Sequence, residues 1–259
     1  MDYAHARHAG NAGDVFKHLA LIALLDELTH DASPLIYLET HAGDGIYPLA
    51  SVGEWGGGVQ RVWDASGGLV GRYARMVREL SPPGAARPEA VPGSPLLASK
   101  LLRPADRMLL HEIDPQSAQV LRRAVPRAEV RESDGLAAEA PQGRALVLID
   151  PPYAQKQEWT QAAHAAARMQ GAALALWYPI KALTRPRALL AALAKLGVRG
   201  TAVEVHWTPL RLKRDRLNGC GIIFANAPRA AVSALCAALP DLGPALQTHG
   251  EWSSVVIGF

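Results

Sequence analysis

The chain has 259 residues, 49% hydrophobic and 20% charged, with a formal net charge of +3. That balance suits a folded domain with a full core, excludes a disordered or fibrous chain, and permits a polyanionic partner without demanding one. The two cysteines, Cys220 and Cys236, form no CxxC pair. No apolar h-region opens the chain, and no uncharged apolar run reaches the about eighteen residues of a span, so a reducing, cytoplasmic setting is expected, without disulfides or membrane contact.

From the N-terminus, HARH (5–8) has HxxH spacing but lacks companion ligands, so no metal is expected. Val15, Leu19, Ile22, Leu25 and Leu28 repeat at helical spacing behind Asp14 as a candidate cap. PLIYLE (34–39) reads as the first strand. Residues 46–95 hold no convincing strand. Val59, Val62, Trp63, Val70, Tyr73, Met76, Val77 and Leu80 read there as one or two helices broken at Gly67 and Gly68, before the Pro- and Gly-rich SPPGAARPEAVPGSP (81–95). This predicts a small helical insertion over 46–95 in a main domain made of 1–45 and 96–259. RMLLHEI (107–113), AEVRE (128–132), RALVLID (144–150), AALALWY (172–178), TAVEVHW (201–207) and GCGIIFA (219–225) are further strands, and SVVIGF (254–259) is placed to close the sheet. Leu189, Leu190, Leu193 and Leu196 mark an intervening helix ended by Gly197. Such alternation predicts an α/β fold with a mostly parallel, doubly wound sheet.

In such a sheet, ligands bind at the carboxyl ends of the strands. Four polar strand ends occur in succession. In YLETHAGDG (37–45), Gly43 and Gly45 allow a tight turn and close approach to a ligand. The loop is no GxGxxG fingerprint and has no phosphate-binding lysine, which suits a nucleoside cofactor such as S-adenosylmethionine. His41 in that loop is either a cofactor contact or a structural hydrogen-bonding residue. Glu112, ahead of Asp114, is the candidate for the ribose hydroxyls; Asp114 reads equally as a helix cap. In ESDG (132–135), Asp134 is a candidate for the cofactor's adenine amine, with Gly135 allowing close approach; a plain turn is the alternative.

LVLIDPPY (146–153) carries the chemistry. Pro151 and Pro152 keep the loop extended and stiff. Asp150, the Pro151 carbonyl and the Tyr153 ring are thereby fixed relative to one another. An exocyclic adenine amine is a poor nucleophile because its lone pair is delocalised into the ring. A carboxylate and a carbonyl accepting its two protons aim the lone pair at an incoming methyl group, and the carboxylate gains value as positive charge develops on nitrogen. Tyr153 can stack on the base, worth roughly 1–3 kcal/mol. A strand ending in an acid and a Pro-Pro turn is the plain alternative, since short motifs recur.

HAGNAGDVFKH (8–18), THAGDG (40–45), PGSP (92–95), LIDPPY (148–153) and ALWYPI (175–180) together make the chain resemble the RlmJ family, bacterial methyltransferases acting on N6 of an adenine in 23S ribosomal RNA. The resemblance runs from Tyr3 to about Gly221. It implies a Rossmann-like class I S-adenosylmethionine-dependent methyltransferase with a helical subdomain. It also implies cofactor contacts from His18, His41, Ser94, Glu112, Asp134, Gly135 and Asp150, the last doubling as catalytic acceptor. Tyr3, His5 and Lys17 are implied on the substrate side. The chain departs from the family pattern at Arg7, where an aromatic is expected, at Gly13, where alanine is, and at Asp44 inside the Gly loop.

RLKRDR (211–216), RPRALLAALAK (185–195) and the pair Arg103 and Arg107 concentrate positive charge, as phosphate contacts or as solvated loops. Trp177 in WYP could wall a base or simply pack. The expected partner is 23S ribosomal RNA, with the enzyme a monomer. A DNA adenine methyltransferase would usually need a target-recognition domain for which there is little room. A non-catalytic RNA-binding protein on the same fold would not need Asp150 and Tyr153, and a nicotinamide oxidoreductase would carry an early GxGxxG turn.

Overall fold

A computed structural model describes residues 8–212 and 217–259. Helix α1 (Ala12–Thr29) precedes strand β1 (Ile36–Glu39). The chain then leaves the main sheet through β2 (Ile46–Pro48), two 3-10 turns over Glu54–Gly57 and Val59–Val62, α2 (Gly68–Arg78) and β3 (Ala90–Pro92). It returns by α3 (Ser94–Leu101) to β4 (Arg107–His111), α4 (Pro115–Ala124), β5 (Glu129–Arg131), β6 (Ala145–Ile149), α5 (Lys156–Arg168), β7 (Ala173–Ile180) and α6 (Thr184–Lys195). Strands β8 (Thr201–His206) and β9 (Gly219–Ala225), helix α7 (Arg229–Leu246) and β10 (Ser253–Gly258) finish the chain.

Eight strands form one sheet in the order β10-β8-β9-β7-β6-β1-β4-β5. The five from β5 to β7 in that order are parallel, so their carboxyl ends share one edge. β9 lies antiparallel between β7 and β8, and β10 pairs antiparallel at the edge. Both faces of the central strands are covered, which is why those strands read as unbroken apolar runs. Alternation survives at the level of the side chain: Leu146 and Leu148 join the core that holds α1, while Val147 and Ile149 join the core on the α5 and α6 side. α1 is apolar all round because it sits between the sheet and α2, α3 and α7.

Two local expectations need correction. The cap of α1 is Asn11, whose side chain accepts from the Asp14 amide at 3.0 Å; Asp14 lies inside the first turn and accepts from the Gly10 amide at 2.9 Å. The excursion expected to hold no strand contains an antiparallel ladder, with Ile46 opposite Pro92 and Tyr47 opposite Val91. Three-residue strands are too short to show a period. In PGSP, Gly93 caps α3 and Ser94 and Pro95 begin it. The excursion has only one α-helix; the segment around Val59 and Val62 is a 3-10 turn preceded by Gly56, Gly57 and Gly58. Its Trp55, Val59, Trp63, Val70, Tyr73 and Val77 pack into the same core as α1.

Gly58 fixes that docking. The Val59 amide donates to the Gly10 carbonyl at 2.8 Å, and a Cβ on Gly58 would fall on the Gly10–Ala12 backbone. Gly58→Ala is expected to cost about 1–3 kcal/mol by overpacking, read as a lowered urea midpoint with unchanged slope.

Candidate active site

The loop after β1 is laced across the neighbouring strand ends. The Thr40 amide donates to the Leu148 carbonyl at 3.1 Å and the Ala42 amide to the His111 carbonyl at 3.0 Å. The Gly43 and Asp114 amides donate to the two oxygens of Glu112 at 2.8 and 2.9 Å. Gly43 has a φ of 62°, and a Cβ there would fall on the Tyr47 hydroxyl; a Cβ on Gly135 would fall on the Thr40 carbonyl. Backbone approach therefore requires both glycines. His41 is half-buried, with Nδ1 2.8 Å from the Thr40 hydroxyl. Burial lowers its pKa against the opposing fields of Asp150, Glu112 and Asp134, all three named from sequence, and of Glu158. Asp134 is exposed and accepts from the Leu136 amide at 2.9 Å. Asp114 is the cap of α4, accepting from the Ser117 amide.

Asp150, at the end of β6, is not free. Lys17 reaches from the first turns of α1 and places Nζ 2.6 Å from Asp150 Oδ2 and 3.0 Å from Asp14 Oδ1. The side chains of Lys17 and Asp150 are only 12% and 15% exposed. Burial penalises the Lys17 ammonium, but Asp150 and Asp14 outweigh it and hold its pKa well above the ordinary range. The neighbouring His18 is buried with Nδ1 3.3 Å from the Tyr73 hydroxyl. Burial and the Lys17 charge push His18 down to about 3, so the ring is neutral at physiological pH. Gly13, a departure from the family pattern, faces the Trp177 ring, 3.1 Å from where a Cβ would stand.

Sequence reasoning passed over Glu39, the last residue of β1. It is fully buried, accepts from the Tyr37 hydroxyl at 2.7 Å and accepts from the Ser94 hydroxyl as well. Burial raises its pKa to about 8, although both hydroxyls pull the other way. The only signal was an acid ending an apolar strand. Trp159 was missed too. Tyr153 has a φ of 53°, donates its hydroxyl to the Trp177 carbonyl at 2.7 Å, and lies 4.4 Å from the Trp159 ring centre. A left-handed conformation in a non-glycine residue is costly and typical of functional loops. Pro151 is buried and Pro152 exposed. Trp177 is half-buried, its ring 6.3 Å from that of Tyr153.

Tyr3, His5 and Arg7, and residues 213–216 of the basic loop, lie outside the described residues. Arg211 is tied to Glu251 at 3.0 Å. Arg103 is held by Asp106, and Arg107 lies 3.7 Å from Glu129, so these cations are already paired.

A family model described as Ribosomal RNA large subunit methyltransferase D, RlmJ, matches residues 32–257. Ribosomal RNA large subunit methyltransferase J of Haemophilus influenzae is 31% identical over 99% of this chain and 98% of its own. The protein of the same description from Escherichia coli K12 is 32% identical, with the same coverage. A crystal structure of a Legionella pneumophila protein superposes with a TM-score of 0.83 at 28% identity, over 97% of this chain and 98% of that one.

The buried Glu39 carboxyl makes a measurable prediction. Its ordinary pKa of 4.5 rises to about 8 on folding. Between those values the unfolded chain loses this proton while the folded chain keeps it. This group therefore weakens folding as pH rises, by up to about 1.4 kcal/mol per unit. Glu39→Gln cannot titrate, so its stability relative to the parent should improve from pH 5 to pH 8 in urea unfolding. A constant difference would mean that Glu39 is ionised in the fold.

Proposed function

This chain belongs to the RlmJ family of ribosomal RNA large subunit methyltransferases, and from that premise we propose that it methylates N6 of an adenine in 23S ribosomal RNA. The fold is that of a Rossmann-like class I S-adenosylmethionine-dependent methyltransferase. A ribosomal substrate places its action in the cytoplasm.

The observation that carries the adenine reading is the placement of Asp150. One of its oxygens, Oδ2, is held by Lys17, and Pro151, Pro152 and Tyr153 follow directly on a stiff, partly left-handed loop. Lys17 thus fixes the carboxylate and leaves Oδ1 to accept one proton of the adenine amine. The Pro151 carbonyl accepts the other. The amine nitrogen is drawn toward tetrahedral geometry, and Tyr153 stacks on the base. Orientation, rather than proton removal, is the role this arrangement favours. The target base must be unpaired or extruded to reach the crevice.

S-adenosylmethionine, when bound, supplies an electrophilic methyl group on a sulfonium. The residues at the strand ends suit it. Glu112 keeps acceptor capacity beyond its two amide bonds for the ribose hydroxyls. Asp134 is exposed and positioned to accept the cofactor's adenine amine. Gly43 and Gly135 leave room where a Cβ would intrude. His18, His41 and Ser94 lie around the same edge, with Ser94 held by Glu39. A neutral His18 avoids placing a second cation beside a sulfonium. Tyr3 and His5, outside the described residues, are proposed on the substrate side, and residues 46–95 as a subdomain that backs α1.

Tritiated methyl transfer to RNA from cells lacking the gene tests the reading. Asp150→Ala should lower kcat by at least about 10²-fold, as loss of a positioned acceptor does. Transfer to DNA but not to RNA would overturn the substrate class. Lys17→Met should also lower kcat, and should destabilise the fold by about 3 kcal/mol because Asp14 and Asp150 lose their shared cation. A K17M protein with parental activity and stability would remove Lys17 from the site.

A further inference from the structure

A second aromatic ring lies against that of Tyr153. Trp159, in the first turns of α5, lies beside it at 4.4 Å with the planes tilted by 51°. The Arg185 guanidinium, from the first turn of α6, sits 5.9 Å from the Trp159 ring centre. Trp159 is half-buried and Arg185 exposed. Lys156 lies one turn before Trp159 on the same face of α5, and Lys181 follows the end of β7 just before α6.

The charges here are out of balance in a way that folding does not explain. Lys156, Lys181 and Arg185 are exposed and make no ion pair among the described residues. Arg187 differs: it is bound by buried Glu204 at 2.9 and 3.2 Å. The nearby acid, Glu158, is turned back to accept from the Gln155 amide at 3.2 Å. Lys156 and Arg185 also occupy the first turns of helices, where the helix dipole disfavours a cation. Cations without a carboxylate partner in that field, beside a half-buried indole, match the electrostatics of a single-stranded nucleic acid. Its phosphates would neutralise them and its bases would stack.

We propose that Trp159 and Arg185 form a second stacking position, which holds the nucleotide next to the target adenine, with Lys156 and Lys181 taking its phosphates. This rests on the RNA-methylation reading and extends it: the enzyme grips two consecutive bases, one on Tyr153 and one on Trp159. The flanking base keeps the strand unstacked while the adenine is held at Asp150.

The test uses the full chain and 23S ribosomal RNA from cells lacking the gene. Trp159→Ala should raise the KM for RNA about tenfold, the loss expected of one stacked base, while cofactor affinity stays at the parental value. Trp159→Phe should recover most of that loss. Lys156→Gln should lower the slope of log affinity against log salt by about 0.7, as removal of one single-strand phosphate contact does. Parental RNA affinity in Trp159→Ala together with a parental salt slope in Lys156→Gln would overturn the proposal, and so would a Trp159→Ala effect confined to melting temperature. If Trp159→Ala fails to fold, Lys156→Gln decides the matter by its salt slope. A parent protein that transfers nothing to RNA would sink the methylation reading itself, a failure separable from loss of the platform because the salt slope is read from binding alone.

Discussion

The site is organised around one ammonium placed between two carboxylates. Lys17 is buried enough that its charge would be costly unpaired, and it is met by Asp14 from its own helical turn and by Asp150 from 133 residues further along the chain. Asp14 is locked into α1 by the Gly10 amide, and Asp150 is locked to β6 by the strand it ends. The pair therefore fixes the start of α1 against the edge of the sheet. It also orients the carboxylate that the proposed chemistry uses. Stability and function draw here on the same contact.

Burial sorts the other acids of the crevice by role. Glu39, sealed beneath Ser94 and Tyr37, has its pKa pushed up to about 8 and serves as a hydrogen-bonding hub at neutral pH. Glu112 and Asp134 stay nearer to solvent and accept backbone amides. One side chain type thus supplies an internal brace and outward-facing acceptors, set by environment alone. His18 follows the same logic with opposite sign, since burial and the Lys17 charge keep it uncharged.

What was legible in the sequence was what repeats or what the backbone dictates. The apolar strands were visible because both faces of the sheet are covered, and the strand ends because Gly, Asp and Pro punctuate them. Asp150, Glu112 and Asp134 could be placed on one edge by that reasoning alone. The ladder of β2 and β3 could not, because three residues carry no period. Asn11 was hidden behind the more conspicuous Asp14, two neighbouring candidates for one cap. Glu39 and Trp159 escaped for a different reason: their roles come from tertiary partners, Ser94 for one and Tyr153 for the other, that lie far off or on another element. Ser94 and His18 were reached only through resemblance, since neither a serine opening a helix nor a histidine in an apolar one announces a ligand.

The excursion between β1 and β4 belongs to this account and not to its periphery. Trp55, Val59 and Tyr73 pack into the core that buries α1, and Tyr73 holds His18 by its hydroxyl. Gly58 lets the excursion press against the Gly10 carbonyl, just before the Asn11 cap. Lys17 and His18 stand on the first turns of that helix, so the excursion sets where both residues point. An extra segment grafted after the first strand thereby governs Lys17, which holds the Asp150 carboxylate, and His18 beside it. A shift of the segment would be transmitted to Asp150 through Lys17, because a packed core passes on displacement and does not absorb it.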